Sequence, residues 1–403
     1  MTYNNALKHI NSLPEVIKGS SEILKQICSA LGSPQKKLKT IKICGDAGKT
    51  SCAHMLMSVL SKSGYRVGYY CPSHSDDLRE CIKIGEKDIQ HTEFSQIAKR
   101  VFDALSATGT EDSISKDEIT FIIALFYFAY SECDVVIIER KMSDDQTHFV
   151  NAPILSLITS VYNGISATAS EALVPRGTKE TVSCIQHKNV YDDISRICAD
   201  VGCRLSLPLY SDLEVKKITL FNTHFTYRGN EYSLGTFSPC QLLNAITVIE
   251  AAHALARIGM NISDADISSG LSAARLPLMC QALAIEPTVI IATVTDERHL
   301  EALIASLAQV SGLLHNKIDV FTSPKTSVMT ADLPTRLSSC ALACETVVAL
   351  DPSDKHSFNI NINDIIAPML KSDNQDYAAI FIGDDEYVSE LSEQIKKILS
   401  NIV

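Results

Sequence analysis

One short stretch constrains this chain most: Ile41-Lys42-Ile43-Cys44-Gly45-Asp46-Ala47-Gly48-Lys49-Thr50-Ser51. An apolar run suited to a strand enters a Gly-x-x-Gly-Lys-Thr-Ser turn. An apolar helical run with Met55, Leu56, Val59 and Leu60 leaves it. Glycines let backbone N–H groups approach phosphate oxygens, the lysine adds a positive charge, and a hydroxyl beyond it can hold Mg²⁺. The predicted nucleotide contacts are therefore Gly45, Gly48, Lys49, Thr50 and Ser51. The loop is shorter than the common Walker A form, whose first glycine would fall where Ile43 stands. The same letters also fit a plain strand-to-helix turn, but the strand before and the helix after favour a nucleotide.

Composition sets the frame for that loop. The 403 residues are 46% hydrophobic and 21% charged, which suits two or three globular domains. No run of eighteen apolar residues occurs, so no membrane span and no membrane partner are expected. The opening Met1-Thr2-Tyr3-Asn4-Asn5 lacks the basic start and apolar core of a signal peptide, so a cytoplasmic location is expected. A formal charge of −11 argues against a nucleic-acid partner, which needs basic faces. It leaves room for a small anion in a local pocket. The thirteen cysteines sit in apolar segments such as Ile27-Cys28 and Ile197-Cys198, as buried thiols of a reducing compartment do.

Along the chain, strand-like and helical segments alternate. Tyr65–Tyr70, Asp134–Glu139 and Leu155–Val161 read as further strands, and residues 116–130 as a buried helix. This predicts a mostly parallel sheet with helices on both faces. A helical run spans Gln241–Ile258, and Arg275-Leu276-Pro277 breaks the pattern. A fresh alternation begins at Val289 and ends at Ala378–Gly383. The expected division is 1–284 for an ATP-binding domain and 285–403 for a smaller Rossmann-like α/β domain.

Several motifs in order resemble folylpolyglutamate synthase/dihydrofolate synthase, a branch of the Mur ligase superfamily. They are Tyr3-Asn4-Asn5-Ala6-Leu7 with Ser12-Leu13-Pro14, Leu31–Lys39, the short phosphate loop, and Ser63–Gly68. His74 with Asp77-Leu78-Arg79-Glu80 resembles the family's folate-proximal motif, and Gln241 with Asn244-Ala245 its helix start near the adenine. The resemblance covers roughly residues 1–285. It implies a ligase that joins glutamate to a folate or related small carboxylic acid. ATP phosphorylates the acid, and an amine attacks the acyl phosphate. By resemblance, Lys49 contacts phosphate, Ser51 and Glu139 hold Mg²⁺, Asn244 faces the adenine, and His74 and Arg79 lie on the substrate side.

Departures from the family cluster in its catalytic set. Asp46-Ala47 replaces Thr-Asn in the loop, and an acid in a phosphate cradle is unfavourable unless it turns outward or meets a metal. Arg140-Lys141-Met142-Ser143-Asp144-Asp145 replaces a glycine-rich turn. Ile165 stands for the metal-binding histidine and Met279 for the interdomain arginine. Ala292–Glu297 stands for the Asp-Gly-Ala-His-Asn-Pro motif. The helix that should carry a carbamylated lysine is shortened between Ala169 and Cys184, and Lys179 lacks the family context.

Ordinary structural roles remain open beside these. Glu139 is a metal ligand or a helix cap, Asn244 an adenine contact or a cap, and His74 a substrate neighbour or a surface loop residue. Asn316-Lys317-Ile318-Asp319 matches a guanine motif but reads better as a helix-to-strand turn. The chain is either an ATP-dependent acid–amino-acid ligase, impaired in the usual reaction, or a pseudoenzyme that keeps the nucleotide site and acts through a protein partner. The catalytic residues stay unassigned.

Overall fold

The computed structural model describes residues 1–14, 21–72, 77–109, 114–140, 152–162, 164–276, 280–285, 288–314, 317–340, 342–349 and 377–400. Helices α1 (Tyr3–Asn11) and α2 (Ser21–Ala30) precede β1 (Thr40–Cys44). The phosphate loop joins β1 to α3 (Lys49–Lys62). Then come β2 (Val67–Tyr70), β3 (Ile82–Ile84), β4 (Lys87–Asp88), α4 (His91–Thr108), α5 (Lys116–Tyr130) and β5 (Val135–Arg140). They are followed by β6 (Leu155–Ile158), α6 (Ala167–Leu173), β7 (Glu180–Ser183), α7 (Lys188–Val201) and β8 (Arg204–Ser206).

These strands form one sheet in the order β4-β3-β2-β5-β1-β6-β7-β8, parallel from β2 to β8. The central parallel strands β1, β2, β5 and β6 are buried on both faces, as in a sheet covered twice. Val136, Ile138 and Tyr70 share a buried cluster with α1, α2, α4 and α5. The alternate residues Tyr69 and Glu139 face the side covered by α3. Helix α5 starts where the sequence signals it: Ser115 and Glu118 form a reciprocal cap, with the Ser115 N–H 2.8 Å from Glu118 Oε2. Strand β6 is shorter than the Leu155–Val161 run, since 159–161 turn toward the phosphate loop.

The rest of the chain gives β9 (Leu213–Ile218), β10 (Thr223–Tyr227), β11 (Asn230–Leu234), α8 (Pro239–Arg257) and α9 (Asp264–Ala273). Next are β12 (Gln281–Ile285), β13 (Thr288–Thr293), α10 (Glu297–Gln309), β14 (Lys317–Thr322), α11 (Leu333–Ser338), β15 (Cys344–Ala349), β16 (Tyr377–Gly383) and α12 (Asp385–Ser400). Strands β9 to β11 make an antiparallel sheet that the sequence did not announce. Its tight turn is Arg228-Gly229, both at positive φ, in place of the familiar Asn-Gly. The last sheet runs β12-β13-β16-β14-β15 and is parallel except for β12. Leu300, Leu303 and Leu307 cover one face; Val388, Leu391 and Ile395 cover the other.

The expected α/β architecture is therefore present. By compactness, however, the chain divides into 1–210 with 244–274, and 211–243 with 275–403. A single cut near 284 does not describe this. Ala282 pairs with Ile290, which draws β12 into the second sheet. Leu220 and Phe237 join the apolar cluster of Ile290 and Leu303, which carries 211–243 along.

Helix α9 packs tightly on α3. A Cβ on Gly270 would lie 2.4 Å from Val59 Cα, and Ser58 Oγ donates to the Gly270 carbonyl at 2.7 Å. Gly270→Ala gains about 1 kcal/mol of helix propensity but drives a methyl into backbone. A net loss of about 1–3 kcal/mol is expected, read as a lower urea midpoint. A midpoint at or above wild type would show that α3 and α9 can separate freely.

Candidate nucleotide and metal site

The two glycines of the loop are required by close approach. Gly45 has φ +140°, and a Cβ there would sit 2.2 Å from Thr159 Oγ1. Gly48 has φ +86°, and its Cβ would meet Asn244 Oδ1 at 2.8 Å. Between them, the Asp46 N–H donates to the Ser160 carbonyl at 2.7 Å, and the Ala47 N–H to the same oxygen at 3.4 Å. The Asp46 side chain turns out of the loop and accepts the Tyr162 N–H at Oδ2, 2.8 Å away. This resolves the electrostatic conflict posed by an acid in the loop: the carboxylate fastens the end of β6. The ladder of α3 begins with the Cys52 N–H to the Gly48 carbonyl, 3.0 Å. The amides ahead of it form the helix's open N-terminal donors, the usual seat of an anion.

Lys49 Nζ folds onto the carbonyls of Gly45 (2.8 Å) and Asp46 (3.2 Å), so the ammonium stays at the loop. One step on, Thr50 Oγ1 donates to Glu139 Oε1 at 2.8 Å. The other carboxylate oxygen, Oε2, accepts the Tyr69 hydroxyl at 2.7 Å. Glu139 is only 4% exposed, and its described partners are the hydroxyls of Thr50 and Tyr69 and the thiol of Cys71, none of them a cation. A buried carboxylate held by neutral donors alone is costly and electrostatically receptive to a cation. Burial, reinforced by the Glu139 charge, pushes the Tyr69 phenol well above its ordinary value, so it remains a donor. The same two influences push the Cys71 thiol up.

This donor set fits Mg²⁺, which is held by one or two carboxylates, a hydroxyl and phosphate oxygens. The residues that would hold it are Glu139 and Thr50. Ser51, the hydroxyl expected by resemblance, is buried at 5% exposure, and its neighbour Thr50 donates to Glu139. Lys49, Thr50, Glu139 and Asn244 thus converge on one loop. Tyr69 and the Ser160–Tyr162 turn also belong to this site, and sequence reasoning missed both. Tyr69 could have been found only through the β2–β5 register.

The remaining expected residues lie elsewhere. Arg79 makes a bidentate pair with Asp77 (Nε–Oδ1 3.0 Å, Nη2–Oδ2 2.5 Å). It lies over the Tyr3 ring and contacts His91 Nδ1 at 3.2 Å. The Tyr3 hydroxyl also donates to Asp77. Arg79 is thus held within a clasp between α1, α4 and the turn Leu78–Cys81. His74, Met279, Asn316 and 141–145 lie outside the described residues. Ile165 packs against the apolar cluster of Ile158, Val161 and Leu173. Ala292 is fully buried inside β13, and Asp296 caps α10 by accepting the His299 N–H at 3.0 Å. Lys179 is exposed ahead of β7.

No family model matches the chain. It is 25% identical over 335 residues to the folylpolyglutamate synthase of Lacticaseibacillus casei, covering 77% of each chain. Over 167 residues it is 29% identical to a probable bifunctional folylpolyglutamate synthase/dihydropteroate synthase of Haloferax volcanii. That match spans 40% of this chain and a fifth of the other. Among solved structures, the folylpolyglutamate synthetase from Lactobacillus casei superposes with TM-score 0.81 at 22% identity, over 98% of this chain and all of that one. An FPGS–AMPPCP–folate complex gives 0.76 at 21%, over 99% and 100%. The homologues and structural neighbours are folylpolyglutamate and dihydrofolate synthases, and the chain shares their two-domain Mur ligase fold.

The Asp77 clasp sets a pH dependence. Burial alone would raise this carboxyl, but hydrogen bonds from Arg79 and Tyr3 outweigh it and hold the group at about 2. A depressed folded value means stabilisation that is complete above the unfolded value of ~3.9 and lost as pH falls toward 2. Asp77→Asn should be less stable than wild type at neutral pH, and the gap should close between about pH 4 and pH 2. Denaturant midpoints measured at stepped pH would read it; a pH-independent gap would exclude an electrostatic clasp.

Proposed function

We propose that the chain is a folylpolyglutamate synthase-like, ATP-dependent acid–amino-acid ligase. In this assignment the triphosphate and first-metal seat is kept, and ordinary glutamylation of folates is weak. The observation that carries it is the Thr50–Glu139 pair at the foot of an open helix N-terminus, with Lys49 on the same loop. The relatives' names and the nucleotide in the FPGS–AMPPCP–folate complex support ATP as the nucleotide.

Each residue then has a physical task. Open amides of α3 and the Lys49 ammonium bind phosphate oxygens. Glu139, with Thr50 beside it, holds Mg²⁺. When bound, Mg²⁺ draws charge from the transferred phosphoryl and lowers the barrier to attack by the acid. Asn244, packed on Gly48, borders the loop on the side assigned to the adenine. A folate or another small carboxylic acid is the acceptor class, with the Asp77–Arg79 turn shaping its side of the first unit.

Weak turnover follows from what Ile165 does. It is partly buried against an apolar cluster, so a second metal has no ligand at that position. Removing single charge-stabilising groups commonly costs ~10²–10³ in rate. This favours a second assignment, in which the chain binds nucleotide without completing the ligation and serves a protein partner.

Lys49→Ala should weaken AMPPCP binding by at least about tenfold, the value of one charge-assisted hydrogen bond. Its ligand-free melting temperature should stay near that of wild type. Undiminished affinity by calorimetry would refute the phosphate site. Glutamate-dependent ADP release with dihydropteroate or reduced folates, at saturating Mg²⁺ and ATP, should fall below ~1 per second, the low end of typical enzymes. Turnover inside the range of ~1–10³ per second would show that other residues have assumed the missing roles.

A further inference from the structure

Glu139 is the only carboxylate among the described residues that bonds Thr50 of the phosphate loop, and its two oxygens are held by very different partners. Oε1 faces Thr50, on the first turn of α3 beside the open amides. Oε2 faces Tyr69, deep in the sheet and only 2% exposed. Strands β2 and β5 pair in parallel with Tyr69 opposite Ile137, so Tyr69 and Glu139 emerge on the same face. His54 of α3 meets the Tyr69 ring edge-on at 5.4 Å and helps fix its plane. A hydroxyl at a helix start can rotate and offer its lone pair to a cation. A phenol clamped between a strand and a helix has no such freedom.

We propose that Tyr69 is a positioning residue for the metal carboxylate: by holding Oε2 it presents Oε1 alone to the cation. This rests on the assignment of Glu139 and Thr50 as the Mg²⁺ seat. The consequence is selectivity. Mg²⁺ demands octahedral geometry and takes one oxygen per carboxylate here, whereas Ca²⁺ readily takes both. A carboxylate with Oε2 occupied therefore suits Mg²⁺ and resists bidentate capture of Ca²⁺. Without the phenol hydroxyl only the weak Cys71 thiol bond would remain beside Thr50, and Glu139 could rotate and offer both oxygens.

The test titrates MgCl₂ and CaCl₂ separately into the full chain saturated with AMPPCP, for wild type and Tyr69→Phe. Mg²⁺ affinity should fall about 10–100-fold in the variant, the usual effect of losing a partner that orients a metal ligand. Ca²⁺ affinity should fall by less or rise, so that the Mg²⁺/Ca²⁺ discrimination narrows. AMPPCP affinity in EDTA should stay within about twofold of wild type, which separates positioning from general damage. Unchanged Mg²⁺ affinity, or equal losses for both cations, would overturn the proposal. Should Tyr69→Phe not fold, Thr50→Val offers a second route: with Oε2 still held, both cations should weaken alike, and a narrowed discrimination would count against Tyr69. If wild type with AMPPCP takes up neither cation, the metal seat itself is misassigned and the role of Tyr69 falls with it. If it binds Mg²⁺ normally and only the Tyr69→Phe prediction fails, the seat stands without Tyr69.

Discussion

The site depends on one close approach: the backbone of the phosphate loop lies directly against the end of β6. Gly45 leaves no room for a side chain beside Thr159, and the Asp46 and Ala47 amides share the Ser160 carbonyl. These contacts fix where α3 begins, and so where its open amides, Lys49 and Thr50 point. Gly48 does the same against Asn244. An added Cβ at Gly45 would press on the Thr159 backbone and push the loop off its neighbour, while at Gly48 the Asn244 side chain could give way and the positive φ is what favours glycine. Asp46, unfavourable beside a phosphate, strengthens this arrangement by binding the Tyr162 amide instead.

The pleat of β5 separates two charges that are adjacent in sequence. Glu139 faces α3 and its hydroxyl donors. Arg140, 1% exposed, has its guanidinium 4.0 Å from the Phe121 ring centroid and 5.4 Å from that of Tyr70. Aromatic faces stabilise a desolvated guanidinium. Both are buried at the C-terminal edge of the sheet, where ligands of open α/β folds bind.

Positions expected from the resemblance to differ from the family have ordinary structural contacts. Ile165 packs into the cluster beneath β6 and α7, and Ala292 is a core residue of β13. Asp296 and His299 are tied into the start of α10, where Asp296 accepts the His299 amide and Thr295 Oγ1 lies 2.8 Å from His299 Nδ1. Such residues contribute to packing and capping. Glu139 is different, because it has no packing role that an apolar residue would not fill at lower electrostatic cost.

The sequence by itself determined the strand–loop–helix at Gly45–Ser51, the buried helix over 116–130, and the α/β alternation on each side of residue 275. These are local matters of glycine spacing and hydrophobic period, both carried by residues near one another in the chain. Only the tertiary structure decided that Thr50 bonds Glu139, that Tyr69 holds the other oxygen, and that Asp46 turns to Tyr162. It also decided that 211–243 joins the second unit. Those outcomes rest on strand register and on contacts between residues such as Asp46 and Tyr162, or Tyr69 and Glu139, far apart in sequence. A one-residue shift in the β2–β5 pairing would place Tyr69 on a different row, and no local pattern of letters records that choice.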